Sequence, residues 1–198
     1  MKKNKISVFA LMALFTAVVF SACQKNNSIE PATEQTGSTV NSGERNGPVV
    51  PPILEVPAGN RVSYHVFASG VQIYTCTETS PGVFAWVFTA PEAALYANAG
   101  FNGNGVGTHY AGPTWESNSG SKVAGTRLQG VTVDATAIPW LLLGAVSSQG
   151  PGIYEGTTYI QRVNTTGGLA PATGANASTV GQQARVPYTA EYYFYCAD

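Results

Sequence analysis

RVSYHVFASGVQIYTCT, residues Arg61 to Thr77, is the stretch whose reading decides the fold class. Its first half sets Val62, Tyr64, Val66 and Ala68 against Ser63, His65 and Phe67; its second half sets Val71, Ile73 and Thr75 against Gln72, Tyr74 and Cys76. A repeat of two is the period of an extended strand, whose side chains leave by alternate faces. Between the halves Ser69-Gly70 offers a two-residue connection, so the stretch predicts a β-hairpin.

The same pattern continues outward. After the turn Ser80-Pro81-Gly82, Val83 to Phe88 is apolar on both faces and reads as a strand covered on each side. Ala90 to Ala99, where Pro91 is followed by Glu92, Ala93 and Ala94, has the makings of a single helical turn. Phe101 to Gly107 is rich in Gly and Asn and reads as a loop delivering the residues that follow it onto a surface or groove. Lys122 to Leu128, Val131 to Thr136, Trp140 to Val146, Thr157 to Val163 and Arg185 to Tyr195 each read as strand, with Thr165 to Gly181 as a long loop. The expected fold is all-β: an antiparallel sandwich or partly open barrel of about eight short strands, with at most one or two short helical turns.

Composition agrees. Gly (22) and Pro (12) are plentiful while the surface helix formers Lys and Glu are scarce, which favours strands and turns. With 44% hydrophobic and 11% charged residues, the chain has the apolar content for one well-packed core. Lys and Arg number 10 against 11 Asp and Glu, so no basic excess is available to neutralise phosphates, and nucleic acid is set aside as a partner.

The first residues read as an address. Lys2, Lys3 and Lys5 precede the apolar run Ile6 to Phe20, and Ser21-Ala22 supplies small residues before Cys23, the pattern of a secretory signal. Phe20-Ser21-Ala22-Cys23 resembles a bacterial lipobox, with Phe where Leu is commoner; the resemblance implies that Cys23 is lipidated and becomes the mature N-terminus. Gln24 to about Val50 has almost no aromatic residues and reads as a disordered tether. The expected organisation is therefore a lipoprotein signal peptide at 1–22, a lipidated Cys and tether at 23–50, and one β domain at 51–198. The membrane is then a partner through Cys23, and the place is the bacterial cell envelope, the outer membrane ahead of the inner, with the leaflet left open.

Several ordered motifs then become recognisable: GVQIYTC (Gly70 to Cys76), WVFTAPEA (Trp86 to Ala93), GTHYAGPTWE (Gly107 to Glu116), IPWLLL (Ile138 to Leu143), YIQRVNTTGG (Tyr159 to Gly168) and RVPYTAEYYFY (Arg185 to Tyr195). From about Leu54 to Tyr195 the chain resembles the family called domain of unknown function 3455, found in bacterial secreted proteins and in fungi. The resemblance implies no activity that can be carried over. Two positions depart from the family pattern: Ser119, where an acidic residue is common, and Ala175, where the family often has Cys.

Chemistry concentrates in Gly107 to Glu116, which holds His109, Tyr110, Trp115 and Glu116 between glycines and a proline, and which we read as a preorganised loop. His109 and Glu116 are candidates for a base and an acid, with Tyr110 and Trp115 as a stacking platform for a glycan-like or aromatic ligand. Against that stands a core role for the aromatics, with Glu116 capping a turn. Arg162 is the candidate anchor for an anionic group, the alternative being an internal ion pair. Cys76 and Cys196 are the remaining thiols; in an oxidising envelope an even pair reads as a disulfide, the alternative being two separate buried thiols. The two histidines, His65 and His109, show no HxH or HExxH spacing, so no metal is expected, and no nucleotide fingerprint calls for a cofactor. Three functions remain: an envelope lipoprotein whose domain binds a small or glycan-like ligand or an envelope partner, a hydrolase-like enzyme using His109 and Glu116, and a purely structural envelope protein.

Overall fold

Alternation runs without a break through Ser69-Gly70, and the first strand, β1 (Asn60–Ser80), is 21 residues long. The expected hairpin is not formed. Gly70 lies mid-strand opposite Ala93 on one side and Tyr188 on the other. A Cβ there would fall on the Glu92 carbonyl oxygen and lie 2.5 Å from the Ala93 Cα, so the glycine serves the close approach of two strands rather than a reversal.

The computed structural model describes residues 47–198. The strands that follow are β2 (Val83–Tyr96), β3 (Gly107–Tyr110), β4 (Thr114–Ser117), β5 (Lys122–Val131), β6 (Trp140–Gln149), β7 (Thr157–Gly167) and β8 (Gln183–Ala197). Each pairs antiparallel with the next, and β8 returns to pair with β1, so the sheet closes into an eight-stranded barrel in sequence order. Closure removes the open edges of a sheet. Register shifts in β1, β5 and β7 supply the local bends that closing a sheet demands.

Three local expectations change. The helical turn around Pro91 is part of β2; the proline is accommodated because β3 pairs with β2 only from Ala93 to Leu95. The dense stretch Gly107 to Glu116 is a hairpin, β3 and β4 joined through Ala111-Gly112-Pro113, not a loop. The strand expected at Val131 to Thr136 ends at Val131, because the Asp134 carboxylate takes the Thr136 backbone N–H and hydroxyl, each at 2.7 Å, and turns the chain.

The barrel interior is an aromatic column. Tyr64 meets Tyr154, Tyr154 meets Phe194, Phe194 meets Trp115, and Trp115 packs on both Tyr192 and His109, with ring centroids 4.4 to 5.8 Å apart. Val66, Leu95, Val123 and Ile160 fill the space around it and are wholly buried. Outside the barrel, a 3-10 turn at Pro52–Leu54 buries Leu54 and offers its carbonyl to the Gln161 amide at 2.7 Å. Gln161 takes the Tyr195 phenol on its own oxygen. Both belong to the face opposite that of Ile160, Arg162 and Phe194, so the 3-10 turn lies on the outer wall of the barrel, against β5 and β6 and tied to β7 through Gln161.

The leader, most of the tether and the lipidation expected at Cys23 lie outside the described residues. The last of the tether range, residues 47–50, has no regular structure and alternates between exposed and half-buried.

The bridge expected between Cys76 and Cys196 is not made: Cys76 carries a free, buried thiol. Cys196 stands opposite Arg61 at the start of β1, and Cys76 is fifteen positions along the same strand, roughly 50 Å of extended chain away. A disulfide needs Cα atoms within about 7 Å. The Cys76 thiol instead lies 3.3 Å from the Thr179 hydroxyl and 3.8 Å from the Asn176 carbonyl, in the loop between β7 and β8.

Candidate functional site

Above the aromatic column the barrel is not filled. A cavity of about 790 Å³ occupies that part of the lumen. His109, Trp115 and Tyr192 from the top of the column form its floor, and Leu141, Leu143 and Ile138 form one apolar wall. Phe88 and Val146, both more than half exposed, stand at its mouth, with Pro91, Pro113 and Pro139 stiffening the surround.

The hairpin sorts the predicted site residues by their parity. His109 and Trp115 are opposite each other across β3 and β4 and both point inward, 3% and 1% exposed. Their rings stack at 4.4 Å, 11° from parallel. Tyr110 and Glu116, one position along, must leave by the other face. There the Tyr110 phenol donates to Glu116 Oε2 at 2.6 Å and Lys122 Nζ approaches the same oxygen at 3.3 Å. These two partners, the phenol first, hold the Glu116 carboxyl below its usual range, and the same hydrogen bond raises the Tyr110 phenol. So the expected acid–base pair is divided by the sheet, and Tyr110 and Glu116 take no part in the cavity.

His109 is confined in protonation as well. Burial pushes its pKa down to about 3, with the Arg162 charge acting in the same direction and the bond to the Thr114 carbonyl opposing. Because Nδ1 lies 2.9 Å from that carbonyl, the neutral ring carries its proton on Nδ1 and leaves Nε2 as an acceptor.

Arg162, the candidate anchor, lines the cavity. It is registered with Leu141 and Tyr192, on the inward face of β7. Its Nε and Nη2 both donate to the Pro139 carbonyl, at 3.1 and 2.9 Å, which fixes the guanidinium in place. The internal ion pair weighed against this role is absent: among the described residues, the salt bridges are His65–Glu191, Lys122–Glu116 and Arg185–Glu92.

Reading the sequence missed Gln72, Arg127 and Tyr192, which also line the cavity. Gln72 was hidden by the hairpin reading; once β1 is continuous, it falls in phase with Val66 and Ala68 and points into the lumen. Arg127 stands at the exposed rim, and no local signal in β5 singles it out. Gln72 Nε2, Trp115 Nε1 and the Tyr188 and Tyr192 hydroxyls are buried without a hydrogen-bond partner among the described residues. The Tyr192 hydroxyl lies near Tyr188 and Arg162; burial raises its pKa and the Arg162 charge opposes that shift.

The model for the family described as protein of unknown function (DUF3455) matches residues 57–196. The chain belongs to that family. The match takes in all eight strands of the barrel but for Ala197 at the end of β8, and every residue that lines the cavity. Comparisons with curated proteins and with solved structures return no match. In this DUF3455 protein the function must therefore be argued from the lumen itself.

Proposed function

We propose that this protein is a cell-envelope lipoprotein, held to the membrane through Cys23, whose barrel binds a small, largely apolar molecule in its lumen. The observation that carries the reading is the cavity of about 790 Å³. Its size lies within the range of sites that bury drug-sized molecules, and apolar walls with a few convergent polar groups are the usual makeup of such sites. An apolar ligand is favoured over a glycan, because His109 covers one face of Trp115 and takes away the open platform on which a sugar would stack. Binding is favoured over hydrolysis, because the lumenal imidazole stays neutral and the Glu116 carboxylate belongs to the outer face.

The test is saturable binding of a neutral apolar fluorophore, N-phenyl-naphthylamine, to the purified mature protein. Val146→Trp, at the mouth, should weaken binding at least several-fold while leaving the melting temperature unchanged, and Glu116→Gln should leave binding as it is. If the fluorophore shows no saturable binding, or Val146→Trp has no effect on it, the lumen is not a binding site and the purely structural reading stands.

A further inference from the structure

The polar groups around the cavity are not a neutral set. Its charged residues are Arg162 and Arg127, and neither an Asp nor a Glu lines it, in a chain whose formal net charge is −1. Arg162 is half-buried, forms no salt bridge among the described residues, and is held by the Pro139 carbonyl through Nε and Nη2. That attachment uses one edge of the guanidinium; the Nη1–Nη2 edge, the pair of parallel N–H groups that matches a carboxylate, has the Tyr192 hydroxyl as its neighbour and no acidic partner. Gln72 Nε2 and the Tyr192 hydroxyl, both buried without a well-formed hydrogen bond, add donor capacity: the Tyr188 hydroxyl lies between them and Tyr192 stands beside Arg162. A fixed cation with added donors on an apolar wall calls for one kind of complement.

We propose that the lumen selects amphipathic organic monoanions: molecules with an apolar chain or ring ending in a carboxylate, the carboxylate on Arg162 and the apolar body against Leu141, Leu143 and Phe88. The inference rests on the lumen being a binding site. A neutral molecule of the same shape would leave the guanidinium in an apolar surround without its counter-charge, a loss that a carboxylate avoids. Arg127 at the rim adds a second positive charge on the approach path and raises the encounter rate of anions. One deep cation matches one negative charge, so a doubly charged head group would enter with charge left over.

Decanoate and decanol, equal in apolar body and different in charge, are the probes. Each is titrated into the mature protein carrying the neutral fluorophore, and displacement is read at neutral pH. Decanoate should bind at least about tenfold more tightly than decanol, as a charge-assisted hydrogen-bonded pair implies. Arg162→Gln should erase the difference while keeping the affinity for decanol, and Arg162→Lys, which keeps charge but loses the fork, should retain part of the preference. Equal affinity of the wild type for the two probes overturns the inference and leaves lumenal binding intact. Binding of neither, or of the fluorophore alone with no displacement, overturns the inference too, and lack of fluorophore binding separately removes the reading on which it rests. A preference that persists in Arg162→Gln assigns the selectivity elsewhere and equally overturns it.

Discussion

His109 and Trp115, opposite each other on β3 and β4, stack their rings 4.4 Å apart and together make both the top of the core and the floor of the cavity. A side chain in that position is held by packing on three sides, with Tyr192 and Phe194 against the Trp115 edge. Truncating Trp115 to Ala would therefore cost roughly 3 to 5 kcal/mol of stability as well as enlarge the cavity. Denaturant unfolding checks this; a loss below about 1 kcal/mol would mean that the column is not the core.

The buried imidazole makes stability depend on pH. The folded-state pKa of about 3 lies below the ordinary His value of 6.5, so on acidification the unfolded chain takes up this proton first. The contribution is fully present above about pH 6.5 and is lost as pH falls through the interval down to about 3. The slope is about 1.4 kcal/mol per pH unit, so from this group alone the domain should be about 2 kcal/mol less stable at pH 5 than above pH 7. His109→Phe keeps a ring on Trp115 and removes the proton; its unfolding free energy should vary distinctly less over pH 5 to 7. An unaltered slope would assign the effect to other groups.

Cys76 and Ala175 stand on the same loop contact. The thiol touches the Asn176 carbonyl and the Thr179 hydroxyl, and Ala175, half-buried, immediately precedes them. Ala175→Cys should form a disulfide with Cys76 on oxidation, protect both thiols from alkylation in the unfolded state, and stabilise the domain by up to about 5 kcal/mol in the chain-entropy model. Alkylation of both Cys76 and the introduced cysteine after oxidation would refute the proximity.

Cys23→Ala should move the protein from the membrane fraction to the soluble envelope fraction, with the barrel unchanged in its melting temperature. Undiminished membrane association of the variant would point to another anchor.

The period-two alternation of apolar residues determined by itself that this chain is all-β and antiparallel, because such a pattern can be buried only by a pleated sheet with one face inward. The chemical density of Gly107 to Glu116 singled out His109, Tyr110, Trp115 and Glu116 together, and Arg162 read as a candidate anchor for an anion or as half of an internal ion pair. Tertiary structure decided the rest, because the remaining questions are about phase and distance. Whether Ser69-Gly70 turns or continues is settled by Glu92 and Ala93 on the neighbouring strand, more than twenty residues away, and that choice sends Gln72 into the lumen. Glu116 follows Trp115 in the chain, yet a strand divides the two between opposite faces, and only the pairing of β3 with β4 makes that stretch a strand. Cys76 and Cys196 look like a natural pair by count, and the length of one continuous β1 keeps them apart. The cavity lies farthest from the sequence of all: it is the space left when all eight strands and the Ile138-Pro139 segment bring side chains spread from Gln72 to Tyr192 to one end of a closed barrel, and no local pattern encodes an empty volume.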